Sequence, residues 1–227
     1  MNICVIPARG GSKRIPKKNI KNFLGKPIIA YSIEVALKSN CFDQVIVSTD
    51  NNEIAEVAKE YGAEVPFSRP KEISGDFTGT NEVVKHTINW FLEQNIKIEY
   101  ACCIYATAPF LQEKYLKKGF DMLKKHKASF SFSVTSFAFP IQRAIKIKDD
   151  KVSMFYPEYL MTRSQDLEDT YHDAGQFYWG SSQSFLDDEI VFSEKSIPII
   201  LPRYLVQDID TLEDWKRAEL MYKAIQR

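Results

Sequence analysis

The stretch at 2–22, NICVIPARGGSKRIPKKNIKN, limits most sharply what this chain can become. Residues 2–7 are β-branched at Ile3, Val5 and Ile6, too few for a helix, and closed by Pro7, which predicts a buried strand. Past that strand come Arg9, Lys13, Arg14, Lys17, Lys18, Lys21 and Lys26, with no acid before Glu34. Such a loop repels itself unless an anion occupies it. Gly10 and Gly11 let backbone amides approach a ligand, Ser12 adds a hydroxyl, and the cations suit phosphate oxygens. The pattern reads as a polyphosphate cradle. It has neither the Gly-Lys-Ser/Thr ending of a Walker A loop nor a GxGxxG fingerprint. On charge and glycine alone, a merely solvated basic loop stands at even weight.

The rest of the composition narrows the partner. Thirty basic residues balance thirty acidic ones, so no overall field favours nucleic acid or a membrane surface, and the local excess at 9–26 suits a small anion. No apolar run reaches bilayer length and no secretory core opens the chain, so a soluble, cytoplasmic protein is expected. Cys4, Cys41, Cys102 and Cys103 lack CxxC spacing and are expected as reduced, packed thiols. His86, His126 and His172 lack metal-ligand spacing.

The apolar periods predict a largely parallel α/β fold. After Pro27 a helix buries Ile28, Ile29, Ile33, Ala36 and Leu37; 44–48 is a strand; Asp50 and Glu53 resemble a capping box for the next helix. Residues 66–80 form a surface loop of the kind that carries function. A helix then buries Val84, Thr87, Ile88, Phe91 and Leu92, followed by a strand to Tyr105, a helix over 111–125 and a strand at 129–135. Between 136 and 170 alternation around Asp149-Asp150 predicts a hairpin. Its aromatic content needs covering, by another subunit or by an edge of the main domain. Residues 171–180 mix polar and aromatic groups as a sugar site would, and Leu212, Trp215, Ala218, Met221 and Tyr222 mark a closing amphipathic helix.

Just before that helix lie Asp208 and Asp210. In extended backbone they point the same way, about 7 Å apart at Cα. Two hard oxygen donors suit Mg2+, which keeps several waters and completes its shell with substrate phosphates. Asp210, with Glu213 following, can equally be a helix N-cap. Lysines and a metal around a triphosphate, with an acceptor oxygen opposite its α-phosphorus, make a nucleotidyl-transfer site.

The pieces ARGGSKRIPKKN at 8–19, VSTD at 47–50, RPKEISGD at 69–76, TAP at 107–109 and DIDT at 208–211 span nearly the whole chain. In that order they resemble the cytidylyltransferases that activate nonulosonic acids, the sialic acid synthetase group. The resemblance implies CTP and a nine-carbon keto-acid sugar as substrates, Mg2+, and a CMP-sugar and pyrophosphate as products. It also implies a Rossmann-like nucleotide-diphospho-sugar transferase fold, with 1–227 a single cytidylyltransferase domain acting as a homodimer through an excursion at about 137–170. By position, Ala8, Arg9, Gly10, Gly11, Ser12, Lys13, Lys18, Asn19, Ala106 and Thr107 correspond to the nucleotide and phosphate group. Arg69 corresponds to the cytosine and ribose pocket, and Asp208 and Asp210 to the metal carboxylates. Arg9, Lys18, Asp208 and Asp210 take the catalytic roles, Lys18 stabilising charge on the α-phosphate. Deprotonation of the sugar hydroxyl is assigned to metal assistance near Asp210.

Two departures fall in the sugar pocket. Where sialic acid enzymes read Gln-Pro-Thr-Ser-Pro this chain has Tyr105-Ala106-Thr107-Ala108-Pro109, and their Arg-Pro-Asn-Gly-Ala becomes His172-Asp173-Ala174-Gly175-Gln176. These segments resemble the pseudaminic acid branch. Tyr105, Asp173, Gln176, Tyr178 and Trp179 would then face the sugar, with core packing the alternative for Tyr178 and Trp179. Sialic, legionaminic or Kdo-type sugar acids are the nearest rival substrates. A non-catalytic polyanion-binding module is the rival from another class, and it lacks the aromatics interleaved with bases that RNA readers show.

Overall fold

The computed structural model describes residues 1–226. Strand β1 (Asn2–Pro7) leads through the basic loop and a two-residue-strand hairpin, β2 (Asn22–Phe23) and β3 (Lys26–Pro27), into helix α1 (Ile28–Ser39). Then follow β4 (Gln44–Ser48), α2 (Asn52–Glu60), α3 (Thr80–Glu93), β5 (Tyr100–Ile104), α4 (Glu113–His126) and β6 (Phe130–Ser136). A hairpin of β7 (Ile145–Lys148) and β8 (Lys151–Met154) precedes β9 (Tyr171–Ser181), α5 (Ser182–Leu186), β10 (Ser196–Ile200) and α6 (Leu212–Ile225). The main sheet has the order β10-β6-β9-β5-β1-β4. Only β9 runs antiparallel to its neighbours, β5 and β6. The expected α/β class, a mostly parallel sheet flanked by helices, is what the chain forms.

Alternation along β1 builds a layer on each side of the sheet. Cys4 and Ile6 enter one core with residues of α1, α2 and α4, and Ile3 and Val5 enter the other with Val83, Val84, Ile88 and Phe91 of α3. All four thiols are free. A third cluster holds Ile15, Phe23, Ile28, Tyr31, Phe110, Leu205, Ile209, Trp215 and Ala218. Phe23 meets Tyr31 and Trp215 edge to face, each at 5.5 Å between ring centres, and the Tyr31 hydroxyl donates to the Phe23 carbonyl at 2.7 Å. This cluster fastens the basic loop to the start of α6.

Several local expectations move by one residue. Leu37 and Leu92 are exposed, and so is Leu212. Neighbours on a helix stand about 100° apart, so Leu37 cannot share the centre of a buried stripe with Ala36, nor Leu92 with Phe91. The cap of α2 is Asn51, whose side chain accepts from the Ile54 amide at 3.1 Å, and not Asp50. The cap of α6 is Thr211, in a reciprocal capping box with Asp214, and not Asp210. Both shifts release a carboxylate for other work.

Asp149 and Asp150 have φ of 50° and 57°, the left-handed pair that a two-residue turn matching strand twist requires. The hairpin they close pairs only with itself, and Phe139, Ile145, Ile147, Val152, Phe155 and Met161 are exposed around it. No edge of the main sheet covers them, which removes that alternative. Among the described residues, no helix is long and apolar enough to cross a membrane.

Candidate active site

The basic loop is pinned from both sides. The Gly10 amide donates to Asp50 at 2.8 Å, and Asn19 Nδ2 donates to the Arg9 carbonyl at 3.0 Å. A side chain at position 10 would bring a Cβ to 3.0 Å from Asn51, so this close approach needs glycine. The loop's mutual repulsion is relieved by carboxylates from distant elements and does not by itself require a ligand. Arg9 and Lys13 reach Asp76 at 2.6 and 2.5 Å, and Lys17 reaches Glu53 at 2.6 Å. Arg14 and Lys18 meet Asp210 at 2.9 and 3.3 Å.

Ile209 decides how the two aspartates face. Its side chain is fully buried in the third cluster and its carbonyl accepts from Lys18 Nζ at 2.7 Å. The flanking carboxylates therefore turn outward together, as alternation predicts. Asp208 is held above the usual carboxylate range, first because its carboxyl loses part of its water despite an exposed edge, and second because Asp210 is close. Among the described residues no group of three or more His, Cys, Asp or Glu could hold a metal. A carboxylate pair in which Asp210 adds to the cost of ionising Asp208 fits a divalent cation whose remaining ligands are water and phosphate.

Each aspartate lines a different cavity, Asp210 the first and Asp208 the second. The first, about 240 Å3, is lined by Arg9, Ser12, Lys13, Lys18, Asn19, Arg69, Tyr105, Ala106, Thr107 and Asp210. Of the residues assigned to the nucleotide, Ala8, Gly10 and Gly11 do not line it; the Ala8 amide donates to the Ser48 carbonyl at 2.9 Å, in the loop's floor. Arg69 is buried at the cavity wall with Nε and Nη2 lacking any acceptor. Burial pulls its pKa down, Asp50 pushes it up and Arg9 pulls it down again. A guanidinium with unmet donors at a cavity wall suits a ligand rich in acceptors.

The second cavity, about 700 Å3, is lined by Asp173 and Asp208 together with His172, Arg203 and Arg217. Asp173 accepts from the Gly175 amide at 2.9 Å and from the Tyr178 hydroxyl. Gly175 has φ +60°, a conformation that favours glycine. The Tyr178 ring packs on that of Tyr105 at 5.4 Å between centres, and burial pushes the Tyr105 hydroxyl up to about 12. Burial likewise raises Tyr178. Tyr105 lines the first cavity and Asp173 the second.

Gln176 and Trp179 depart from their sugar-facing assignment. Gln176 is buried and donates to the Leu205 carbonyl at 2.5 Å. Trp179 is wholly buried, stacks on Phe42 and Phe120 at 4.7 and 4.8 Å, and donates to the Leu116 carbonyl at 3.1 Å. Alternation along β9 sends Trp179 into the core that Phe177 also enters. Asp50 and Asp76 lie inside the quoted motifs, yet the hold of Asp50 on the Gly10 amide and the ion pairs of Asp76 carry no local sequence signal. Arg203 and Arg217 lie outside every motif.

A mostly parallel sheet whose first strand delivers a cationic glycine loop to a facing carboxylate pair defines a nucleotidyltransferase. Residues 3–204 match the family described as cytidylyltransferase, and the chain belongs to that family. It is 47% identical over 223 residues to the pseudaminic acid cytidylyltransferase of Campylobacter jejuni, covering 98% of this chain and 96% of that one. It is 31% identical over 225 residues to the CMP-N,N'-diacetyllegionaminic acid synthase of Legionella pneumophila, covering 96% and 94%. A CMP:2-keto-3-deoxy-manno-octonic acid synthetase solved with CTP shares the fold, with a TM-score of 0.71 at 13% identity over 98% of both chains.

Proposed function

We propose that this enzyme transfers CMP from CTP to the anomeric hydroxyl of pseudaminic acid, a nine-carbon sugar acid, releasing pyrophosphate. The observation that carries the reading is that Asp210 lines the first cavity and Asp208, two residues away, lines the second, with Lys18 against Asp210. Identity of 47% to a relative bearing that activity supports the choice of sugar. CTP occupies the first cavity, its phosphates on Arg9, Ser12, Lys13 and Lys18 and its nucleoside toward Arg69, Ala106 and Thr107. The anomeric oxygen attacks the α-phosphorus, the bond to the β-phosphate oxygen breaks, and pyrophosphate leaves. Lys18 neutralises charge as it develops on the α-phosphate. Asp208 and Asp210 would hold a Mg2+ ion, which when bound adds positive charge beside the phosphates.

The sugar fits the second cavity. Asp173, oriented by Tyr178 and Gly175, accepts from a hydroxyl or acylamino N–H, and Tyr105 closes the boundary with the nucleotide. The carboxylate of the sugar acid sits beside the reacting carbon, and Arg203 and Arg217 give the cavity cationic groups to receive it. A second copy of the chain covers the exposed apolar residues around β7 and β8, making a homodimer. The test is pyrophosphate release with CTP and Mg2+ across pseudaminic, sialic, legionaminic and Kdo-type acids. The expected result is the highest kcat/KM for pseudaminic acid, and equal or higher values for another sugar overturn the assignment.

A further inference from the structure

The segment between α2 and α3 is tied down by backbone and packing at its base and by one exposed carboxylate at its tip. The Arg69 amide donates to the Thr49 carbonyl at 2.8 Å, and Phe67 packs on His86 at 4.8 Å. Seven residues beyond Arg69 lies Asp76, next to Phe77, which is fully exposed and holds nothing in place. From that tip one Asp76 oxygen takes Arg9 Nη1 at 2.6 Å and the other takes Lys13 Nζ at 2.5 Å. Both hydrogen bonds, Lys13 first, hold the Asp76 carboxyl below the usual carboxylate range. All three residues line the first cavity.

A carboxylate bridging two cations through separate oxygens presents the same acceptor pattern as two oxygens of a phosphate. The donors that Arg9 Nη1 and Lys13 Nζ give to Asp76 are therefore withheld from a triphosphate until Asp76 lets go. We infer that Asp76 is an internal competitor of the polyphosphate: it sits on Arg9 and Lys13 between turnovers, yields them to CTP, and takes them back as pyrophosphate leaves. This rests on the reading that Arg9 and Lys13 bind the phosphates. Exposed ion pairs are weak enough to exchange readily, so the competition is modest and reversible.

The test uses the full chain and direct calorimetric binding of CTP and of pyrophosphate to the wild type, D76N and R9A. Binding by D76N is expected to be about 3- to 30-fold tighter for both ligands, with pyrophosphate inhibiting turnover at correspondingly lower concentration. R9A is expected to lose affinity. If R9A loses affinity while D76N binds the same or more weakly, Asp76 supports the cations rather than competing for them, and the inference falls. If R9A binds CTP like the wild type, the phosphate assignment itself falls. D76A separates loss of charge from shape, and a return to wild-type affinity there also overturns the inference.

Discussion

The ammonium of Lys18 stands 3.3 Å from the carboxylate of Asp210, across 192 positions of sequence. The same ammonium donates to the Ile209 carbonyl, so its place is set by the backbone leading into α6 as well as by charge. The two ends of the fold thus share one ion pair at the mouth of the first cavity.

Removing that ammonium separates catalysis from folding. Lys18→Met is expected to lower kcat by about 100- to 1,000-fold, the range for deleting one preorganised charge donor at a developing anion. Its thermal midpoint should stay near the wild type's. Steady-state kinetics beside a melting curve check this, and a normal kcat would remove Lys18 from the reacting phosphate.

Among the described residues Asp208 pairs with no cation, whereas Asp210 pairs with two. Asp208→Ala is therefore expected to abolish turnover while leaving circular dichroism and melting unchanged. Manganese as a paramagnetic probe should bind the wild type in the presence of CTP and be lost in the variant. Retained binding and turnover would show that the carboxylate pair is not the metal's anchor.

Trp215 is buried where the loop hairpin meets α6. Truncating such a side chain costs about 3–5 kcal/mol, so Trp215→Ala should lower the urea midpoint strongly. KM for CTP should rise as well, since Lys18 and Asp210 lose their common support. A stability loss with unchanged KM would mean the loop keeps its place without the cluster.

Asp214 closes the capping box of α6, and its carboxyl is held below the usual range, first by the Thr211 side-chain hydrogen bond. A depressed carboxylate stabilises the fold above the unfolded-state pKa and ceases to as pH falls through the folded-state value. Urea unfolding should show Asp214→Ala less stable than the wild type by about 1 kcal/mol at neutral pH. That difference should shrink as pH falls below the usual carboxylate range. A difference independent of pH would place its origin elsewhere than in the charge.

Phe139 and Ile147 stand in water beside the self-paired hairpin. Replacing both by aspartate should convert a dimer to a monomer in sedimentation velocity. A monomeric wild type at micromolar concentration would remove the proposed contact.

Periodicity made the sheet legible because strands such as 44–48 are short, apolar and bounded by turn residues, and the Asp149-Asp150 turn announced its hairpin by composition. Caps were less legible: Asp50, Asn51, Asp210 and Thr211 are all good capping residues, and only backbone geometry decides which is used. The basic loop and the terminal aspartates were visible as chemistry, but their ion pairs join residues far apart in sequence. Trp179 reads as a sugar platform in a string of polar and aromatic groups; its direction depends on which face of β9 meets α4. Asp76 has no local pattern at all, and its role exists only because the loop folds back over Arg9 and Lys13.

The excursion departs where β6 ends and re-enters where β9 begins, and there Ser136 lies directly opposite Tyr171. Both feet of the inserted segment are thus anchored at one rung, in strands already bonded to each other. Material can be added, trimmed or exchanged beyond that rung without changing the register of any strand that carries the chemistry. Descendants of such a chain are free to rewrite that outer surface while inheriting the catalytic frame intact.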